Sequence, residues 1–342
     1  MRAMAFATHG GPEVLRLEDL PVPEAGPGQV LVRVRACGVN HIDLWAREGK
    51  LPIRIPLPHV SGSEVTGEVA QVGPGVEGVA IGQRVAVHPY LHDGTCEYCL
   101  AGEESTCLRG DILGMVSQGG YAEYVRVPAN SVVPLPEELG FVEAAAVTLA
   151  TLTAWHMLVA KARVRPGETV LVLAAGSGIG VAAVQIARLA GARVIAAASS
   201  EEKLAVARGL GAEETVNYTT EDLREAVRRI TGKRGVDVVV EHVGAATWEQ
   251  SLACLTRNGR LVTCGATTGS EVRMDLWPFF VRQITAYGAY GGTRAELQRV
   301  LQLTARGLLK PVVARVLPLA ALPEAQEALQ RRQVVGKLVV EP

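Results

Sequence analysis

No apolar run of about twenty residues, the length needed to cross a bilayer, occurs in the 342-residue chain. No charged-then-apolar leader with a small-residue cleavage site opens it either. A cytoplasmic protein with no membrane partner is therefore expected. Net charge is nearly absent, at −1, and long basic runs are missing, which argues against a dedicated nucleic-acid binder. Asn is scarce (four residues), and Lys contributes only six of the 34 basic side chains. Scarce Asn suits heat tolerance but scarce Lys runs against the usual trend, so composition decides nothing there. Cys37, Cys254 and Cys264 lie among small and apolar neighbours, which reads as buried free thiols in a reducing compartment.

The other three cysteines fall inside twelve residues. Asp93-x2-Cys96-x2-Cys99-x7-Cys107 lies on a stretch punctuated by Gly94, Gly102 and Gly110. Two pairs of ligand residues at this spacing close a tetrahedron around Zn²⁺, with an Asp oxygen in place of one thiolate. All four seats are filled by protein, so the spacing describes a structural site with no place for substrate. The chemistry must lie elsewhere.

Residues 1–135 are rich in Val, Gly and Pro, with short runs at Gln29–Arg35, Glu64–Val72 and Arg84–Val87, and read as a compact β unit. From about Phe141 the pattern changes. Thr169–Leu173, Arg193–Ala197, Val236–Glu241 and Arg260–Cys264 read as buried strands, alternating with helices at Ile179–Ala190, Glu201–Leu210, Glu221–Ile230 and Thr247–Leu255. Such alternation predicts a parallel sheet covered on both faces. A further helix is expected at Arg294–Ala305, and a strand around Gly336–Val340 should return to the first unit.

Between the first buried strand and its helix stands Ala174-Ala175-Gly176-Ser177-Gly178-Ile179-Gly180. Small residues here let backbone N–H groups approach a pyrophosphate at a helix N-terminus. A strict G-x-G-x-x-G fits no register, so the strand-before, helix-after context carries the reading. The second strand ends at Ala198, where an NAD enzyme would place an acidic residue on the ribose. Ser199, Ser200 and Lys203 follow instead. They favour NADP(H) over NAD(H), because hydroxyl and ammonium donors suit a 2′-phosphate. Tyr218, after the next predicted strand, is placed beside the adenosine or as a packing Tyr.

In this order the motifs resemble the medium-chain dehydrogenase/reductase family. The resemblance rests on Gly10-Gly11-Pro12-Glu13-Val14-Leu15, Cys37-Gly38-Val39-Asn40-His41-Ile42-Asp43, Gly62-Ser63-Glu64-Val65-Thr66-Gly67, Leu152-Thr153-Ala154-Trp155, the Gly-rich turn and Gly336-Lys337-Leu338. It implies an α/β fold with a GroES-like β-rich catalytic domain (residues 1–149 and 289–342, with a zinc lobe at about 88–112) and an inserted Rossmann coenzyme domain (150–288). A homodimer or homotetramer is implied too. Aligned on these motifs, the catalytic-zinc seats of the family's alcohol dehydrogenases hold Asn40, Ser63 and Leu149, and the proton-relay position holds Ile42. Those residues are poor zinc ligands or none.

The pattern is similar to the quinone oxidoreductase branch, which reduces quinones or enones with NADPH and no catalytic metal. The resemblance places Asn40 at the nicotinamide ribose and Thr153 along the nicotinamide. Trp45 and Leu51 occupy the approximate places of that branch's tyrosines, which leaves the proton source unassigned. His41 and Asp43, two apart, would share a face on an extended segment; a substrate donor at His41 and a turn cap at Asp43 are the readings. The alternatives are an NAD(P)-dependent alcohol dehydrogenase acting on aldehyde or alcohol, with an unusual zinc held by His41, His59 and Glu64, and an NADPH-binding protein with little turnover. Glu241, at a strand end, reads as cofactor-facing or solvated.

Overall fold

Alternation of apolar side chains along Gln29–Gly38 makes it the long central strand of a β-rich unit. Its inward residues, Val30, Val32, Val34 and Ala36, are essentially inaccessible. The structure is a computed structural model describing residues 1–342. It divides into two compact units: Met1–Leu152 with Gly292–Gly307 and Pro311–Pro342, and Thr153–Gly291 with Leu308–Lys310.

In the first unit the ribbon β1 (Arg2–Ala5) and β2 (Arg16–Asp19) stands apart from a seven-stranded sheet. The sheet comprises β3 (Gln29–Gly38), β4 (Glu64–Val72), β5 (Arg84–Val87), β8 (Tyr124–Pro128), β9 (Val132–Pro134), β16 (Val313–Pro318) and β17 (Lys337–Glu341). Its order is β16-β17-β3-β4-β5-β9, with β8 also pairing β3. The expected return of the tail is seen: β17 pairs antiparallel with β3, Val339 facing Gly38. A second ribbon, β6 (Tyr90–Leu91) with β7 (Asp111–Ile112), brackets the Cys-rich stretch, which carries the short helix α2 (Glu97–Leu100). Helices α1 (His41–Glu48), α3 (Phe141–Ala145), α10 (Arg294–Ala305) and α11 (Leu322–Gln330) complete the unit, and α4 (Ala150–Trp155) starts at its boundary.

The second unit holds one six-stranded parallel sheet, ordered β12-β11-β10-β13-β14-β15. Its strands are β10 (Thr169–Val172), β11 (Arg193–Ala198), β12 (Glu214–Asn217), β13 (Val236–Glu241), β14 (Leu255–Thr263) and β15 (Thr285–Gly288). Helices α5 (Gly178–Leu189), α6 (Glu201–Gly209), α7 (Leu223–Ile230), α8 (Trp248–Cys254) and α9 (Leu276–Val281) connect them. Both faces of the central strands are covered, so Val170, Leu171, Val172 and Val238, Val239, Val240 are fully buried. Each such side chain contributes about 1.5–3 kcal/mol of burial.

The α/β class is as expected from the sequence, but some elements differ. β14 begins five residues before the expected Arg260, because Leu255 already pairs with Val236 across a register shift. The edge strand β15 and helix α9 had no counterpart in the sequence reading. Thr285 and Ala286 are exposed, so β15 lacks the apolar run that marks a buried strand.

Candidate functional site

The Gly-rich turn is built by backbone constraints. Ala174 adopts a positive φ of 43°, an unusual conformation for a residue with a side chain. A Cβ at Gly180 would collide with the Ala174 carbonyl and lie 2.6 Å from Ala175 Cα, so α5 can leave β10 this closely only with glycine there. Ser177 caps α5, its Oγ accepting from the Gly180 N–H at 2.9 Å. The stem of Lys203 covers Gly176, within 2.7–3.0 Å of where a Cβ would stand. Lys203 Nζ donates to Ser199 Oγ at 3.3 Å, and Ser200 caps α6 through its hydroxyl. Ser199, Ser200 and Lys203 thus converge at one edge of the turn. Tyr218 is partly exposed and enters from the neighbouring strand end, its N–H bonded to Ala198 O at 3.2 Å.

Two neighbours of this turn read differently in the fold. His242 Nε2 lies 3.2 Å from Ser177 Oγ, and burial holds its imidazole below the usual pKa. Sequence reasoning missed His242; its place just beyond the end of a parallel strand was the available signal. Glu241 is neither solvated nor cofactor-facing. It is fully buried and accepts from Val243 N, Gly244 N, Thr247 Oγ1 and Ser251 Oγ, tying the loop after β13 to α8.

In the first unit, the register pairs Gly38 with Glu64 across β3 and β4. Glu64 is fully buried. Its Oε1 accepts from the Leu149 and Ala150 N–H groups at 2.7 and 2.9 Å. Its Oε2 faces Lys337 Nζ at 2.7 Å and Asn40 Nδ2 at 3.1 Å. Lys337, also buried, reaches Asn40 Oδ1 at 2.6 Å and Val39 O at 2.9 Å. The neighbouring Ser63 hydroxyl is buried without a partner. Lys337 went unassigned in the sequence reading, although a lysine opening an apolar strand was visible.

His41 and Asp43 are not presented on a common face. They lie in the first turn of α1, where residues two apart diverge. Asp43 is buried; its Oδ2 accepts from Tyr121 Oη at 2.7 Å and from Asn40 N at 2.8 Å, which holds the start of α1. Burial pushes its carboxyl up to about 6, against the opposing pull of the Tyr121 hydrogen bond. His41, half-buried, heads α1 beside Trp45. Thr153 is buried in α4, the helix opened by the Ala150 amide that Glu64 holds. The unusual zinc set of His41, His59 and Glu64 is not assembled: His59 Nε2 is bonded to Gly114 O at 2.9 Å, and both Glu64 oxygens are engaged.

Asp93, Cys96, Cys99 and Cys107 are brought together. One ligand atom from each lies within 4.8 Å of the others, and all three cysteines are free thiols. Cys96 Sγ is 3.5 Å from Cys99 Sγ and 3.8 Å from Cys107 Sγ. A tetrahedron with Zn–S bonds of about 2.3 Å has edges of about 3.8 Å. Asp93 Oδ1 accepts from Thr95 N and Cys96 N, and these backbone bonds hold the carboxyl well below its usual pKa. Its Oδ2 lies 2.5 Å from the exposed Arg109 guanidinium. The donor set fits one zinc ion.

Residues 26–137 match the family model for an alcohol dehydrogenase GroES-like domain, and 178–306 that for a zinc-binding dehydrogenase. An alcohol dehydrogenase from Geobacillus stearothermophilus is 35% identical over 95% of this chain and 96% of its own. The chain belongs to the zinc-type medium-chain dehydrogenase/reductase superfamily. It is thus an oxidoreductase, and the non-catalytic alternative falls away. An acryloyl-coenzyme A reductase from Metallosphaera sedula is 32% identical over 99% of both chains. The crystal structure of an NAD-dependent alcohol dehydrogenase superposes with a TM-score of 0.96 at 49% identity, covering both chains fully. Membership in this superfamily implies zinc, a nicotinamide cofactor and a small-molecule substrate. No helix is long and apolar enough to cross a membrane.

Proposed function

We propose that this enzyme reduces a C=C bond conjugated to a carbonyl, or a quinone, using NADPH, with its zinc in the Asp93–Cys107 lobe and none at the reacting bond. The observation that carries the reading is the state of Glu64. At the seats where zinc-dependent relatives hold catalytic metal, this chain has Asn40, Ser63 and Leu149. The one carboxylate beside them is saturated by Lys337, Asn40 and two backbone amides. Zinc needs thiolate, imidazole or free carboxylate lone pairs, and these residues offer none.

When bound, NADPH would supply the hydride for the acceptor's β-carbon, and solvent would supply the proton at the α-carbon. The Gly178 and Ile179 amides at the start of α5 hold the pyrophosphate, and Gly176 leaves room for the Lys203 stem beside it. Ser199, Ser200 and Lys203 take the 2′-phosphate, and Tyr218 flanks the adenosine. Asn40 and Thr153 orient the nicotinamide end, which is the main contribution the protein makes to hydride transfer. The relative named acryloyl-coenzyme A reductase supports an activated alkene as substrate.

A second reading, NAD-dependent alcohol oxidation, is favoured by the name of the 49% identical structure. Enone reduction that survives thorough chelation supports the first reading. Alcohol oxidation that vanishes with a second zinc per chain sinks it. For assembly, we favour a homodimer formed by β15, an edge strand whose free side suits antiparallel pairing with its own copy. Exposed Trp277 and Phe280 on the adjoining α9 would be covered in that arrangement.

A further inference from the structure

The orientation of the Asn40 carboxamide is decided by its neighbours. Oδ1 lies 2.6 Å from the Lys337 ammonium and Nδ2 3.1 Å from Glu64 Oε2. The flipped amide would set N–H against N–H and oxygen against carboxylate. A donor inventory then narrows what the group offers a ligand. Lys337 spends its three N–H groups on Glu64 Oε2, Asn40 Oδ1 and Val39 O. Each Glu64 oxygen receives two donors. Of the three groups, only Asn40 has a donor left: its second Nδ2–H, on a residue that is half-buried where Glu64 and Lys337 are buried.

We propose that Lys337 is a positioning residue, whose ammonium, with Glu64, fixes Asn40 as a hydrogen-bond donor toward the bound cofactor. This rests on the assignment of Asn40 to the nicotinamide ribose. Without the ammonium, Oδ1 loses its partner and only the bond from Nδ2 to Glu64 Oε2 restrains the amide, so its remaining N–H is aimed at the ribose less firmly. The cofactor would then lose its fixed orientation, and misplacement of this kind costs on the order of tenfold to a hundredfold in rate.

The test uses the full-length holoenzyme. Lys337→Ala leaves a cavity lined by Glu64 Oε2, Asn40 Oδ1 and Val39 O. Its turnover is expected to fall about tenfold to a hundredfold, and propylammonium chloride, at constant ionic strength, to restore most of it while sodium chloride does not. The double variant Glu64→Gln/Lys337→Met removes the buried charges together, which preserves folding where a single change strands one charge. Positioning predicts a folded double variant with weakened NADPH binding and lowered kcat. A purely structural role predicts wild-type kinetics from it, and that result, or absence of amine rescue in folded Lys337→Ala, overturns the proposal. NADPH affinity is read by fluorescence without substrate, and turnover on whichever acceptor the wild type uses. Failure of enone reduction therefore strikes the proposed function and leaves this test intact.

Discussion

Gly38 and Glu64 are register partners on adjacent strands, and the glutamate carboxylate lies directly over the glycine. A Cβ at Gly38 would overlap Oε2 and press on the Glu64 Cβ at 3.0 Å. Gly38→Ala is therefore expected to displace Glu64 and to cost about 1–3 kcal/mol by overpacking. Gly209→Ala, in the last turn of α6 with nothing within 4 Å of its Cβ, should not lower stability. Urea denaturation of both variants checks the difference; equal effects would remove the carboxylate contact as the cause.

Asp43 makes stability depend on pH between about 4 and 6. Its folded carboxyl is raised to about 6, mainly by burial, from an ordinary value of 3.8. The folded state then holds the proton more tightly than the unfolded chain. The sign follows: this contribution is fully present below about 4 and is lost as pH rises through 6, by on the order of 3 kcal/mol. Asp43→Asn should flatten that portion of the stability–pH curve. A slope unchanged by the substitution would refute the assignment.

Metal content should separate the lobe from the reaction. Purified protein is expected to carry about one zinc per chain by elemental analysis, and Cys107→Ser to lose it, since a closed tetrahedral site needs all four ligands. Thermal stability should fall with the metal. Two zinc ions per chain in the wild type would contradict the proposed chemistry.

The proposed preference for NADPH rests on one lysine. Lys203 lays its stem against Gly176 and bonds Ser199, and a charge-assisted bond to phosphate is worth about 1.5–3 kcal/mol. Lys203→Ala should weaken NADPH roughly tenfold or more while moving NADH by less than about twofold. Equal losses for both cofactors would remove the phosphate role.

Assembly gives a fifth outcome. The Ala289 N–H bonds Thr263 O in β14, so by alternation the Ala286 N–H lies on the free side of β15. Ala286→Pro removes that edge donor and should shift the mass measured by light scattering from dimer toward monomer. A dimer that persists unchanged would place the interface elsewhere.

Local information was enough for much of this molecule. Strand–helix alternation announced the parallel sheet, because buried strands need unbroken apolar runs and covering helices need their own period. The Asp93–Cys107 spacing announced a closed ligand set, because its four residues are close in the chain and only a tight loop had to bring them together. The Gly-rich turn was legible for the same reason: one strand end, one turn and one helix start make it. Tertiary structure alone decided the rest. Lys337 stands 273 positions after Glu64, and only β17 pairing with β3, and β3 with β4, brings ammonium, carboxylate and Asn40 together. His242 reached Ser177 through neighbouring parallel strands, and Glu241 became a buried anchor once α8 folded back on it. Spacing along a chain specifies contacts within a turn or a helix. Partners contributed by distant strands depend on register, and register is set by the packing of the whole sheet.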